Sequence, residues 1–403
     1  MISQLTPHAP GGDHRIMATS TRSLAAALAA GMLLLVATHA SAQVTWSRIP
    51  SPNSPGSNEL LGAAAPDSSH VWAVGRVIAD TNPETWRSLI LRWDGNAWSS
   101  VVHPHPPGNH LLQGVDAPTA GDAWAVGYRV VRTGGVRTVI EHWDGASWIV
   151  VRSPNPNRNG LNQLEAVRSV PSSPGTVWAV GSYSDPAASF GDLTLVLRRS
   201  GGRWRAVSSP NVTADNHLEA VDATGPNDAW AVGWGSTGQF GGTAIAIALH
   251  WNGTSWQNVS IPNPSQVMLF GVRALAPNDV WAVGHTYVGG PHWIPVILHW
   301  DGASWSRSTV PVPEFGGQLR DVVSFSATNV YAVGFSGEGT FAETLVLHWN
   351  GSSWTSQSTP SPGIGPKLLG AAVVWPSTVW AVGYRYEESV FANQTLTLRT
   401  TNA

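Results

Sequence analysis

A seven-bladed, all-β propeller is predicted by three observations. The motif Trp/Tyr-Ala-Val-Gly recurs seven times, opening at Trp72, Trp124, Trp178, Trp230, Trp281, Tyr331 and Trp380. The copies stand 49 to 54 residues apart, and each sits among short apolar runs that read as four strands. That period with four strands per unit is the signature of a propeller blade. The third observation is that the last unit stops before its fourth strand, and a matching segment occurs near the other end of the chain.

The strands of one unit, called a to d, are read in order from the fifth copy. Phe270 to Leu275 forms strand a, and Pro277-Asn278-Asp279 is a turn cluster. Trp281 to Gly284 is strand b. Val296-Ile297-Leu298, β-branched and apolar, is strand c. Asp301-Gly302 then separates strand c from the strand d that Trp305 opens. Asp-Gly or Asn-Gly at this point also occurs at 94–95, 144–145, 252–253 and 350–351. It predicts a two-residue hairpin loop with both residues at positive φ. Pro- and Asn-rich segments such as 153–159 and 261–264 are blade-to-blade linkers.

The seventh unit reaches strand c at Thr395 to Arg399. Val44 to Asn53 resembles the strand d segment that begins at Trp148. The N-terminal strand is therefore expected to complete the C-terminal blade, closing a ring without open edges. Residues 43–403 form one propeller domain in this reading. An open solenoid would call for terminal caps instead.

Residues 1–42 stand outside the fold. A basic stretch to Arg22, an apolar run from Leu24 to Ala37 and Ala40-Ser41-Ala42 read as a secretory signal peptide, with Met17 as the start and cleavage after Ala42. The apolar run is short for a membrane span. The mature chain is expected to be secreted or periplasmic, from a bacterial source, and monomeric. The chain holds no cysteine, which excludes disulfides, thiolate metal sites and cysteine nucleophiles. A net charge of −3 offers no basic surplus for nucleic acid.

Several motifs carry a resemblance. Gly75, Gly127 and Gly284 end a strand, and Asp-Gly-x-x-Trp follows at a later turn. In this the chain resembles kelch-type propellers of the galactose-oxidase kind. It departs from them at the second glycine, replaced by Arg76, Tyr128 or His285. Asp-Gly-x-x-Trp is also similar to the Asp-box of sialidase propellers, with a spacing that differs by one, and Trp-Ala-Val to tectonin-type lectin repeats. The resemblance implies a propeller; activity has to be argued from a site. A copper oxidase of the galactose-oxidase kind would need a cysteine that is absent.

Of 22 tryptophans, eighteen fall on repeat positions, as blade-to-blade packing demands. Trp86, Trp234, Trp293 and Trp375 are off the pattern, and exposed rings of that sort can stack on a sugar or enter a partner. His142, His250, His299 and His348 share one repeat position with Arg92, Arg198 and Arg399. The shared property is hydrogen-bond donation, so they are read as structural and not as metal ligands. His103, His105 and His110 form a looser cluster. His-x-His can hold a metal if a third ligand converges, but with prolines interleaved and no repeat partner it is read as none. No phosphate loop, nucleophile elbow or local carboxylate pair is present, and no cofactor is expected.

Eleven residues before the strand b aromatic, near the channel mouth, stand Leu61, Gln113, Glu219, Phe270, Arg320 and Leu369, with Glu165 equivalent in the third blade. The residue after the strand b glycine also varies: Arg76, Tyr128, Ser182, Trp234, His285, Phe335 and Tyr384. Variation at equivalent points of a rigid scaffold marks a binding face. The expectation is an exported, non-enzymatic binding or scaffold propeller. It would recognise a glycan or an extracellular protein on the face carrying the b–c loops, through Gln113, Tyr128, Glu165, Glu219, Trp234, Trp293, Arg320 and Tyr384. The alternative is a carbohydrate-active hydrolase or lyase with Glu165 or Glu219 as acid/base.

Overall fold

The computed structural model describes residues 44–79, 85–132, 134–184, 191–238, 242–289 and 293–401. The predicted signal peptide lies outside the described residues. The chain folds into seven four-stranded antiparallel sheets, each built in the order a, b, c, d. Blade 1, for example, comprises Ser57–Asp67, His70–Ala79, Thr85–Trp93 and Trp98–Ser100. The a strands of successive blades touch one another in a closed circuit and surround a central channel. Among the described residues the one helical element is a 3-10 turn at Gly339–Phe341, and no helix is long and apolar enough to cross a membrane.

The ring closes as expected. Thr45–Arg48 is strand d of the blade whose other strands are Ile364–Val374, Thr378–Glu387 and Ala392–Thr401. Its register runs from Thr45 opposite Thr401 to Arg48 opposite Leu398.

The core is divided among the blade interfaces. Each of seven apolar clusters draws its side chains from two adjacent blades. Tryptophan joins them. The strand b Trp72 of blade 1 packs against Trp143 and Trp148 of blade 2, at 5.1 Å between ring centres in both cases. Trp178, Trp230, Trp281 and Trp380 meet the same pair in the next blade. Across the closing blade, Tyr331 meets Trp46 edge-on at 6.4 Å. Such tilted and edge-on pairs put ring edges on ring faces, the favourable aromatic geometry.

The histidine–arginine position on strand c is structural, as read, with a second role beside donation. His142, His250 and His299 reach Asp122, Asp228 and Asp279 at 2.6–2.8 Å. Each also stacks on its own strand b tryptophan, at 3.9–4.4 Å. Arg92, Arg198 and Arg399 lay a guanidinium over the same ring in their blades. A flat π-cation or imidazole is what the slot selects.

The c–d turn differs from expectation. Trp93 pairs directly with Trp98, leaving a four-residue loop, and only its glycine has positive φ (Gly95, +99°). Asp94 instead turns its Oδ1 inward to accept the backbone N–H groups of Asn96 and Ala97 at 2.9 and 2.8 Å. Asp144, Asn252, Asp301 and Asn350 do the same. The acid or amide is there as an acceptor, as in an Asx turn.

Candidate functional site at the channel mouth

Every a strand carries a β-bulge, and the bulged residue is the one that varies. Register slips occur at Leu60/Gly62, Leu112/Gly114, Leu164/Ala166, Leu218/Ala220, Leu269/Gly271, Leu319/Asp321 and Leu368/Gly370. The residues left over are Leu61, Gln113, Glu165, Glu219, Phe270, Arg320 and Leu369. A bulge frees one residue from the ladder and re-aims its side chain. Here all seven are turned to one cavity of about 550 Å³.

The repeat motif serves this bulge. Opposite it lies the glycine of Trp-Ala-Val-Gly. A Cβ on Gly75, Gly233 or Gly284 would run into the carbonyl oxygen of Glu59, His217 or Met268 on the bulged strand, and the other four blades repeat the conflict. The glycine is needed for this close backbone approach.

The ring is chemically lopsided. Gln113 donates from Nε2 to Glu165 Oε2 at 2.5 Å. Trp234 donates from Nε1 to Glu219 Oε1 at 2.9 Å. Opposed to this acidic arc is a cationic and aromatic one. The Arg320 guanidinium lies 4.2 Å from the Phe270 ring centre and donates to Gln318 Oε1 at 2.7 Å. Lys367 sits 4.8 Å from the Phe335 ring. Leu61 and Leu369 are the apolar remainder.

Electrostatics follow the layout. Glu165 is half-buried on the cavity wall and near a second carboxylate. Burial and the Glu219 charge push its pKa up to about 8, against a smaller opposing effect of the Gln113 hydrogen bond. Glu219 is also raised by burial, with the Trp234 bond acting the other way. Burial lowers Arg320, partly offset by Glu219. Two carboxyls that both hold their protons more tightly than an ordinary glutamate therefore face one cavity.

The aromatic candidates stand beside the cavity and do not line it. Tyr128, Trp234 and Tyr384 belong to strand b and are paired on both sides, so they are strand and not loop residues. Trp234 reaches the ring through Glu219. Tyr384 lies 5.9 Å from Lys367 Nζ, and Tyr128 faces Trp86 at 6.5 Å. Trp293 opens strand c of blade 5 and touches His285 at 4.4 Å; His285 in turn stacks on Phe270 at 5.1 Å. Trp375 is 76% exposed in the a–b turn of blade 7, apart from the others.

Sequence reasoning missed the next layer of the channel. Three residues beyond the bulge stand Asp116, Arg168, Asp222 and Arg273 in consecutive blades. Arg168 bridges Asp116 (3.1 Å) and Asp222 (2.7 Å), and Arg273 meets Asp222 at 3.3 Å and Ser324 Oγ at 2.9 Å. The carboxylates also accept backbone N–H groups of the next blade, from Ser169 and Ala274 at 2.8 Å each. Asp321 receives Ala371 N–H in the same way. The signal was present as alternating charge at one repeat position. A second hollow of about 650 Å³, on blades 6 and 7 beside Phe315 and Phe341, had no sequence signal.

No protein-family model matches the chain, and no curated protein does. Its fold is similar to that of YCF48 in a complex described as YCF48 bound to D1 peptide, with 14% identity, 89% of this chain and 97% of that one covered, and a TM-score of 0.53. It is likewise similar to a protein of unknown function from Dyadobacter fermentans, with 11% identity, 90% and 99% covered, and a TM-score of 0.52. At these identities the likeness is one of fold.

Proposed function

We propose that the protein is an exported, non-enzymatic kelch-like propeller that binds a glycan or an extracellular protein at the channel mouth. The observation behind this reading is the ring of bulge residues. Seven equivalent positions on a rigid scaffold carry seven side chains of five chemical kinds, all turned to one cavity. A site with hydrogen-bonding groups on one arc and Arg320 and Phe270 on the other suits a ligand with both polar and flat apolar faces. A propeller of similar fold is described with a bound peptide, so a peptide ligand is compatible with the architecture.

The experiment is a screen of residues 43–403 on glycan and peptide arrays, run beside Trp234→Ala and Arg320→Ala. Specific binding that falls at least tenfold in both variants supports the reading. Binding that is untouched by either removes the channel mouth from it.

One observation favours a second reading, the hydrolase or lyase. Glu165 and Glu219 occupy equivalent points of adjacent blades and face one cavity, and the Glu165 pKa is pushed up to about 8, as a general acid would require. Polysaccharide turnover abolished by Glu165→Gln and by Glu219→Gln would establish it in place of the binding role.

A further inference from the structure

The linker between blades 1 and 2 runs His103-Pro104-His105-Pro106-Pro107-Gly108-Asn109-His110, and the fold draws its three histidines together. His103 and His105 have ring centres 4.5 Å apart, His105 and His110 5.5 Å. His105 Nδ1 and His110 Nε2 face each other at 3.3 Å. The remaining nitrogen of His110, Nδ1, donates to the Gly108 carbonyl at 2.8 Å. His110 Nε2 therefore presents a lone pair to His105.

That 3.3 Å is long for a hydrogen bond to nitrogen or oxygen, which clusters near 2.9–3.0 Å. It equals the separation of two nitrogens bound to one tetrahedral ion, about 3.3–3.4 Å for bonds of 2.0–2.1 Å. A backbone carbonyl on the far nitrogen is also the usual outer partner of a metal-bound imidazole, fixing its tautomer and tilt. His110 is buried, whereas His105 is exposed, so the outer coordination positions open to solvent. The prolines fix φ on either side of His105 and hold the linker in shape.

A second feature points the same way. Glu141 occupies the strand c position, opposite the strand b alanine, that is leucine in all six other blades: Leu91, Leu197, Leu249, Leu298, Leu347 and Leu398. It is fully buried. One carboxylate oxygen meets His103 Nδ1 at 3.1 Å, and His103 Nε2 faces the Ser88 carbonyl at 3.2 Å. The other oxygen, Oε1, has no hydrogen-bond partner among the described residues, nor has Ser88 Oγ. An anion in a leucine slot with an unsatisfied oxygen is costly.

We propose that His105 Nδ1 and His110 Nε2 clamp one divalent transition-metal ion of the zinc or copper kind, with the buried Glu141–His103 pair behind the site. Neutral imidazoles select such ions over calcium and magnesium, which take oxygen. The site lies in the wall between two blades, separate from the channel ring, and does not depend on the function proposed for it.

The test is calorimetric titration of residues 43–403 with Zn²⁺ and with Cu²⁺, alongside His105→Ala and His217→Ala. His105 is exposed, so its replacement leaves the blade packing alone. Among the described residues, His217 belongs with Asp192 and Asp215 to the one group that brings three ligand atoms within 4.8 Å of one another, so it is the competing site. The expected result is one ion per chain, undisturbed by excess Ca²⁺, with affinity at least tenfold weaker in His105→Ala and unchanged in His217→Ala. No binding of either metal at millimolar concentration, affinity unchanged in His105→Ala, or affinity lost in His217→Ala would each overturn the proposal.

Discussion

The Trp234 indole donates to the Glu219 carboxylate across 2.9 Å while stacking on His217 at 4.4 Å. Position and charge at the channel mouth are thus set by a residue of the second strand. Replacing Trp234 by Phe keeps the stack and removes the donor. Glu219 then loses a bond that favours its ionised form, so its pKa rises further. A carboxyl-detected NMR titration reads this directly, and a pKa that stayed put or fell would show that the indole does not tune the acid.

Glu165 makes stability fall as pH rises. Its folded pKa, about 8, stands above the ordinary 4.5, so between those limits the folded chain holds a proton that the unfolded chain has released. Unfolding free energy declines through that window and levels off above it. Glu165→Gln removes its share of the decline and leaves that of Glu219. Urea melts at pH 4, 6 and 9 should show the variant near wild type at pH 4 and more stable than wild type at pH 9.

Gly284 faces the bulge at Phe270. Gly284→Ala drives a methyl group into the Met268 carbonyl and is expected to cost about 1–3 kcal/mol, the usual penalty of overpacking. Gly225→Ala is the control, since a Cβ there meets nothing within 4 Å and φ is not positive. Thermal denaturation of the two variants should separate them clearly.

Asp222 is 3% exposed and neutralises both Arg168 and Arg273. Asp222→Ala leaves Arg273 without its carboxylate and Arg168 with Asp116 alone; because the Arg168 and Arg273 side chains are 30% and 26% exposed, the cost is expected below the about 3–5 kcal/mol of a fully buried pair. Denaturant midpoints should fall accordingly. Replacing Asp116, Asp222, Arg168 and Arg273 together by apolar residues, so that no member of the network is left unpaired, should recover much of the loss.

The ring and its closure were legible in the chain because a blade is a local unit repeated in register. Trp72 and Trp380 are recognisable as one position whatever lies between them, and the strand at Trp46 matches the one at Trp148 residue by residue. The same register exposed the variable position from Leu61 to Leu369, though not the bulge that turns it inward. A bulge is a matter of hydrogen-bond register between two strands, and its only trace in the sequence is the glycine opposite. The turn at Asp94 was misjudged because left-handed tolerance and side-chain acceptance favour the same residues. The Asp116–Arg168–Asp222–Arg273 layer escaped notice since its members are fifty residues apart and act only as neighbours in space. Proximity of His105 to His110 likewise depends on how a proline-rich linker bends.

Because Thr45 and Thr401 are joined side by side, with their hydroxyls 2.9 Å apart, the two ends of the propeller meet within one sheet. The break in the polypeptide thus falls inside one sheet, between strands c and d of blade 7. A circular permutant that links residue 401 to residue 44 and begins instead in the linker after Trp148–Val150 should assemble the same seven sheets. Its new seam would fall between whole blades, trading the interlocked seventh sheet for an interface held by side chains alone, and such a ring should spring open at lower force.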